Sequence, residues 1–149
     1  MDAPVWIKVF IGWIIGAVGY SLGGWDFPLQ MLLMAQLLDT AFGIGAAIKT
    51  GEGFKPRKLA GGWAVKVGYW GLVAIAVSID QYLSFKGMDT KMAIHEATVF
   101  ALFAADIVSA VANAAICGVP VPTPLTGAIT RLKELANEIP ASLSKQPGP

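Results

Sequence analysis

Asp39, Asp80 and Asp106 are the chemically most telling residues of this sequence, because each interrupts an apolar run long enough to cross a bilayer. An ionised side chain at the centre of a membrane helix costs about 2.5–3.5 kcal/mol on insertion scales. Three such acids therefore demand partners: other helices, other copies of the chain, or water. Two kinds of chemistry fit them. They can be protonated and hydrogen-bonded across helices, since burial favours the neutral form of a carboxyl group. Alternatively they can stay ionised along a water-filled seam. Nucleophilic catalysis does not fit. Ser109 shares a helix with Asp106 and His95, but the histidine lies more than three turns away, roughly 20 Å along the axis, and cannot reach the hydroxyl. The glycines between Gly51 and Gly62 lack the spacing of a phosphate-binding loop. No enzyme is expected, and no cofactor.

Composition excludes further classes. The 149 residues are 55% hydrophobic and 14% charged, with a mean hydropathy of +0.61, whereas soluble domains are about 25% charged. One cysteine, Cys117, rules out an internal disulfide or a multi-cysteine zinc site, and one histidine disfavours a histidine metal site. A net charge of +1 provides no general argument for nucleic-acid binding.

The elements that must position the acids follow from blocks of about 20 apolar residues, the length that spans ~30 Å of hydrocarbon. The expected fold is an all-α integral membrane protein with four transmembrane helices, at 5–23, 28–48, 63–83 and 94–116, within a membrane domain of 1–119. If the first helix is interfacial, three spans remain. That first stretch resembles a signal peptide but lacks an Ala-x-Ala cleavage site and is read as retained. Its Gly12 and Gly16 form a small-xxx-small pair that lets helices approach closely. In the second span Ala35, Gln36, Asp39, Gly43 and Ala46 share a face, and in the third Lys66, Tyr69, Val73, Ala76 and Asp80 do. The fourth carries a small stripe (Ala97, Ala101, Ala105, Ser109, Asn113) overlapping a polar one (His95, Asp106, Ser109, Asn113), and both are expected to pack on protein. Gln36, Asp39, Asp80, Asp106, Ser109 and Asn113 are thus the expected pore-lining or polar interface residues. Gly12, Gly16, Gly43, Ala101 and Ala105 are the expected packing residues.

A basic loop joins the second and third spans, with Lys49, Lys55, Arg57, Lys58 and Lys66 against Glu52, and Lys66 is expected to snorkel to the interface. By the positive-inside rule this loop and both termini are cytoplasmic. Past Cys117, three prolines end the fourth helix. Thr123 then reads as an N-cap with Pro124 at the first helical position. Leu125, Ile129, Leu132, Ala136 and Ile139 give a short cytoplasmic amphipathic helix within 120–139, and 140–149 reads as a disordered tail.

The block Leu38-Asp39-Thr40-Ala41-Phe42-Gly43 through Lys49 resembles the bacteriophage holin family, which includes the clostridial toxin-secretion holin. So does Gly62, Lys66 and the apolar run ending at Asp80. The most specific block is Asp106-Ile107-Val108-Ser109, Asn113 and Cys117-Gly118-Val119-Pro120-Val121-Pro122. The similarity covers about 38–138. It departs where the family has serines in the basic loop and Glu in place of Asp106. The resemblance implies a protein that oligomerises with itself in the lipid bilayer of the bacterial inner membrane. It would open lesions there that let an endolysin or a toxin leave the cytoplasm. A small proton- or ion-coupled transporter and a non-pore scaffold or antiholin are the alternatives that the acids also allow.

Overall fold

A computed structural model describes residues 4–131 and 134, and among these residues every regular element is helical. The helices are α1 (Val5–Ser21), α2 (Phe27–Lys49), α3 (Pro56–Phe85) and α4 (Ala93–Cys117), followed by a helical stretch at 123–131. The all-α membrane architecture expected from the sequence is the one found. Helices α2, α3 and α4 are 23, 30 and 25 residues long, or about 35, 45 and 38 Å. All three are long and apolar enough to cross a membrane. Helix α1 is a shorter apolar helix of 17 residues, about 25 Å, and buries none of its side chains.

Helices α2 and α4 form the broadest pair, α3 packs mainly on α4, and α1 touches only α3. Connectivity makes α2 and α4 parallel and α3 antiparallel to both. At one end, Lys49 of α2 meets Gly118 just beyond α4; at the other, Gly23 between α1 and α2 meets Met92 at the start of α4. Leu22, Leu29, Leu32, Val73 and Val99 make the apolar core, flanked by Trp70, Leu102 and Phe103.

The helix limits have local causes. Asp26 caps α2, its Oδ1 accepting from Leu29 N at 3.0 Å, and Pro28 sits in the first turn, where it costs no hydrogen bond. Gly118, at φ +88°, ends α4 in the left-handed conformation that glycine adopts without a Cβ clash. Proline also starts α3, which begins at Pro56 and not at 63. The basic loop is consequently shorter than expected: Arg57, Lys58 and Lys66 belong to α3. At about 45 Å this helix is longer than the ~30 Å of hydrocarbon, and its first turn carries the charges of Arg57 and Lys58. In the remaining loop, the Glu52 carboxyl is held below its ordinary range by the Lys58 hydrogen bond (2.9 Å) and by the charges of Lys58 and Lys55. Its small stabilisation is therefore present above the ordinary carboxylate range and fades as pH falls through the lowered value.

Close approach of α2 to α4 depends on Gly45. A Cβ built there falls 2.9 Å from Cys117 Sγ. Gly45→Ala is expected to lower the thermal midpoint in detergent by forcing the pair apart, at about 1–3 kcal/mol. Adding Cys117→Ala should recover most of the loss, and an equal midpoint for Gly45→Ala with and without it would remove this contact as the cause.

At the C-terminal side, the helical stretch begins with the amides of Leu125 and Thr126 donating to Pro122 O. Of the apolar face expected there, Ile129 is buried and Leu125 exposed. Leu132, Ala136, Ile139 and the tail at 140–149 lie outside the described residues.

Candidate functional site

The face expected of α2 and that expected of α3 both turn inward, and this brings Asp39 and Asp106 onto one cation. Lys66 Nζ lies 2.9 Å from Asp39 Oδ2 and 2.8 Å from Asp106 Oδ1. Lys66 is 6% exposed and Asp106 5%. The snorkelling expected of Lys66 does not occur. Starting α3 at Pro56 puts Lys66 ten residues inside the helix, about 15 Å from its start, where the nearest polar partners are the two acids. Asn113 Nδ2 donates to the remaining Asp39 oxygen at 3.3 Å. Nearer the other end, Trp70 Nε1 donates to Gln36 Oε1 at 3.0 Å, and the Trp70 ring stacks on Trp25. Gln36, Asp39, Asp106 and Asn113 thus join one polar seam through the centre of α2–α4.

The seam is short of both charge and hydrogen-bond donors. One ammonium faces two carboxylates, and Asp106 Oδ2 is buried without a partner, as is Gln36 Nε2. A groove of about 260 Å³, lined by Gly62, Val65, Tyr69, Ala105 and Ser109, runs along this cluster between α3 and α4. A second space of about 250 Å³ reaches from Phe54, Lys55 and Lys58 at the basic end down to Lys66.

Asp80 belongs elsewhere. It is 0% exposed, and its Oδ2 accepts from the His95 amide at 2.8 Å and its Oδ1 from that of Ile94 at 3.4 Å. The first residues of α4 offer no side-chain cap of their own, so an acid from α3 does the capping and also complements the positive helix end. Asp80 is a polar interface residue, but with no exposure it lines no water. The capping role could have been suspected from Met92, a poor N-cap residue. His95 Nδ1 lies 4.0 Å from Asp26 Oδ2, and its Nε2 is buried without a partner.

Most of the small stripe on α4 is left exposed within the single chain. Ala97, Ala101, Ala105 and Ser109 are exposed, because the overlapping polar face, with His95 and Asp106, has partners inside the chain and takes the interior. Gly12 and Gly16 likewise have nothing within 4 Å of an added Cβ. Gly43 does pack, with Asn113 Nδ2 at 3.5 Å. Among the described residues no cluster of His, Cys, Asp and Glu could hold a metal ion.

Comparison with known proteins covers the same three long helices. The bacteriophage holin family matches residues 16–134, which takes in α2, α3 and α4. An uncharacterized protein of Halalkalibacterium halodurans is 34% identical over 120 residues, covering 80% of this chain and 88% of that protein. No solved structure matches. With its family match spanning all three long apolar helices, the chain is a multi-pass membrane protein that belongs to the bacteriophage holin family.

Proposed function

We propose that the chain accumulates in the bacterial inner membrane, self-associates and opens lesions that release an endolysin or an exported toxin. The observation that carries this reading is the Asp39–Lys66–Asp106 cluster, an incompletely satisfied polar seam held by three apolar helices. A charged cluster in hydrocarbon is stable only while the helices enclose it. When copies associate and the helices re-pair, the same residues can face water, so one set of side chains serves a sealed and an open arrangement. In this reading Ser109, exposed beside Asp106, is the first polar side chain such a seam would wet. By the positive-inside rule both termini and the Lys49–Lys55 end lie in the cytoplasm.

Timed expression in a bacterial host together with an endolysin tests the reading. Membrane potential should collapse at a reproducible time and the endolysin should reach the wall. Persistence of the potential with the endolysin retained inside would sink the proposal. Release of small solutes alone would favour the transporter reading. Asp106→Leu leaves Lys66 with one partner and a neutral pair, and is expected to shift the time of lysis at equal expression. Unchanged timing would leave Asp106 without a part in the transition.

A further inference from the structure

Helix α1 and the α3–α4 groove each lack something the other has. The groove holds an uncompensated negative charge, with Asp106 5% exposed and its Oδ2 unpartnered. The groups facing that oxygen's cluster are Lys66 and Tyr69 from α3, Asp39 from α2 and Ser109 from α4 itself, and they include one cation. Helix α1 carries Lys8, exposed and forming no ion pair among the described residues. No side chain of that helix is buried in its own chain.

The levels of the two features match. The end of α1 and the start of α4 lie side by side, since Gly23 is in contact with Met92. From there Lys8 is thirteen residues back along α1, counted from Ser21, and Asp106 is thirteen residues along α4, counted from Ala93. Both are about 20 Å from that end. The two helices run in opposite directions, so the next turns also correspond to within one residue: Gly12 falls beside the level of Ala101 and Gly16 beside that of Ala97. Lys8, Gly12 and Gly16 share one face of α1, and Ala97, Ala101 and Ala105 one face of α4. Small residues on both sides allow the backbones to approach closely. Because α1 is short, a lysine at this level lies about 17 Å short of the end of α4, deep enough to need a counter-charge.

We infer that α1 of one copy docks along the exposed alanine stripe of a second copy, with Gly12 and Gly16 against Ala101 and Ala97 and Lys8 reaching past Ala105 into the α3–α4 groove toward the negatively charged Asp39–Lys66–Asp106 cluster. The inference rests on the self-association proposed above and names its surface. It leaves the second copy's own α1 free to dock onward, so the contact is head-to-tail and propagates.

Two differently tagged copies, both Cys117→Ala, test this in bacterial membranes. One carries Gly12→Cys and the other Ala101→Cys. The expected result is a disulfide between the two tags. A copy with Phe10→Cys, on the opposite face of α1, should give at least tenfold less. Lys8→Met should lower the 12–101 cross-link at least tenfold, and Lys8→Arg should keep it. Asp106→Asn should lower it as Lys8→Met does, and the two changes together should do no more than either alone. Equal cross-linking by Gly12→Cys and Phe10→Cys, indifference to Lys8→Met, or a disulfide confined to one chain when it carries both cysteines would each overturn the interface. If the interface fails while the unmodified protein still collapses the membrane potential, the pore-forming reading survives. If the unmodified protein does not permeabilise the membrane, that reading fails whatever the cross-links show.

Discussion

Lys66→Met is expected to lower the thermal midpoint of the protein in detergent micelles more than any other single substitution in the helix bundle. The change removes the one cation between Asp39 and Asp106, which accept from it at 2.9 and 2.8 Å. Two carboxylates would then face each other across α2 and α4, one of them 5% exposed. Breaking a buried ion pair by removing one member costs about 3–5 kcal/mol, because the remaining charge is left without compensation. Volume is not the cause, since Met nearly fills the space of the lysine stem. A companion variant separates the two explanations. Lys66→Met together with Asp39→Leu and Asp106→Leu replaces the whole cluster by apolar side chains, a change that is often neutral or stabilising. The triple variant should therefore melt at or above the unmodified protein, yet fail to open the membrane, because the seam has lost its charges. A single variant that melts with the unmodified protein would show that the cluster is solvated and not held by its charges.

The difference between these two variants also explains what could and could not be read from residue order. The three long helices were legible because apolar blocks of about 20 residues have few alternatives. The inward faces of α2 and α3 were legible from periodicity: Ala35, Gln36 and Ala46, then Lys66, Val73, Ala76 and Asp80, are buried, together with Leu29, Leu32 and Val77. What periodicity cannot supply is register between helices. Nothing along the chain says that position 66 meets positions 39 and 106, because that depends on where α3 starts and how far it slides along α4. A third span starting at 63 places Lys66 near a helix end and makes it a surface residue, whereas α3 starts at Pro56. Charge balance was the available signal, since three acids in apolar runs called for a base at comparable depth and Lys66 lies in the same kind of run.

The fourth helix shows a different limit. It carries two overlapping stripes, and either could have faced inward. The polar stripe prevailed because an unpaired acid in hydrocarbon costs more than exposed alanines, which lipid solvates without penalty. The stripe of small residues was thereby left on the surface, where only another protein surface can use its closeness. Sequence alone ranks such stripes by composition; the energy of leaving each one outside decides between them.

Asp80→Ala is the second substitution expected to act strongly, and through a different mechanism. Asp80 joins no ion pair among the described residues, and its carboxylate serves the open end of α4. The His95 amide donates to it at 2.8 Å and that of Ile94 at 3.4 Å, at a site with 0% exposure. Met92 and Lys91 both sit at positive φ just before this end, a conformation costing roughly 1–2 kcal/mol per residue without glycine. The start of α4 is therefore held in a strained turn by an acceptor from α3. Removing it leaves a buried amide unsatisfied, at about 1–3 kcal/mol, and frees the turn to relax. Asp80→Ala should accordingly speed hydrogen exchange in the first turn of α4 and lower the thermal midpoint, while the Asp39–Lys66–Asp106 cluster, about three to four turns away, stays protected. Asp80→Asn keeps one carbonyl oxygen for the His95 amide and gives up only the charge at the positive helix end, worth about 0.3–1 kcal/mol at typical sites. Its effect should be the smaller of the two. Were the asparagine and alanine variants to exchange at the same rate, the charge and not the hydrogen bond would be what anchors α4. Both amides lie at the end where the turn between α1 and α2 meets the start of α4, so loosening this turn also releases the level at which α1 is set. Asp80→Ala should therefore weaken the cross-link between position 12 of one copy and position 101 of another, without touching either residue.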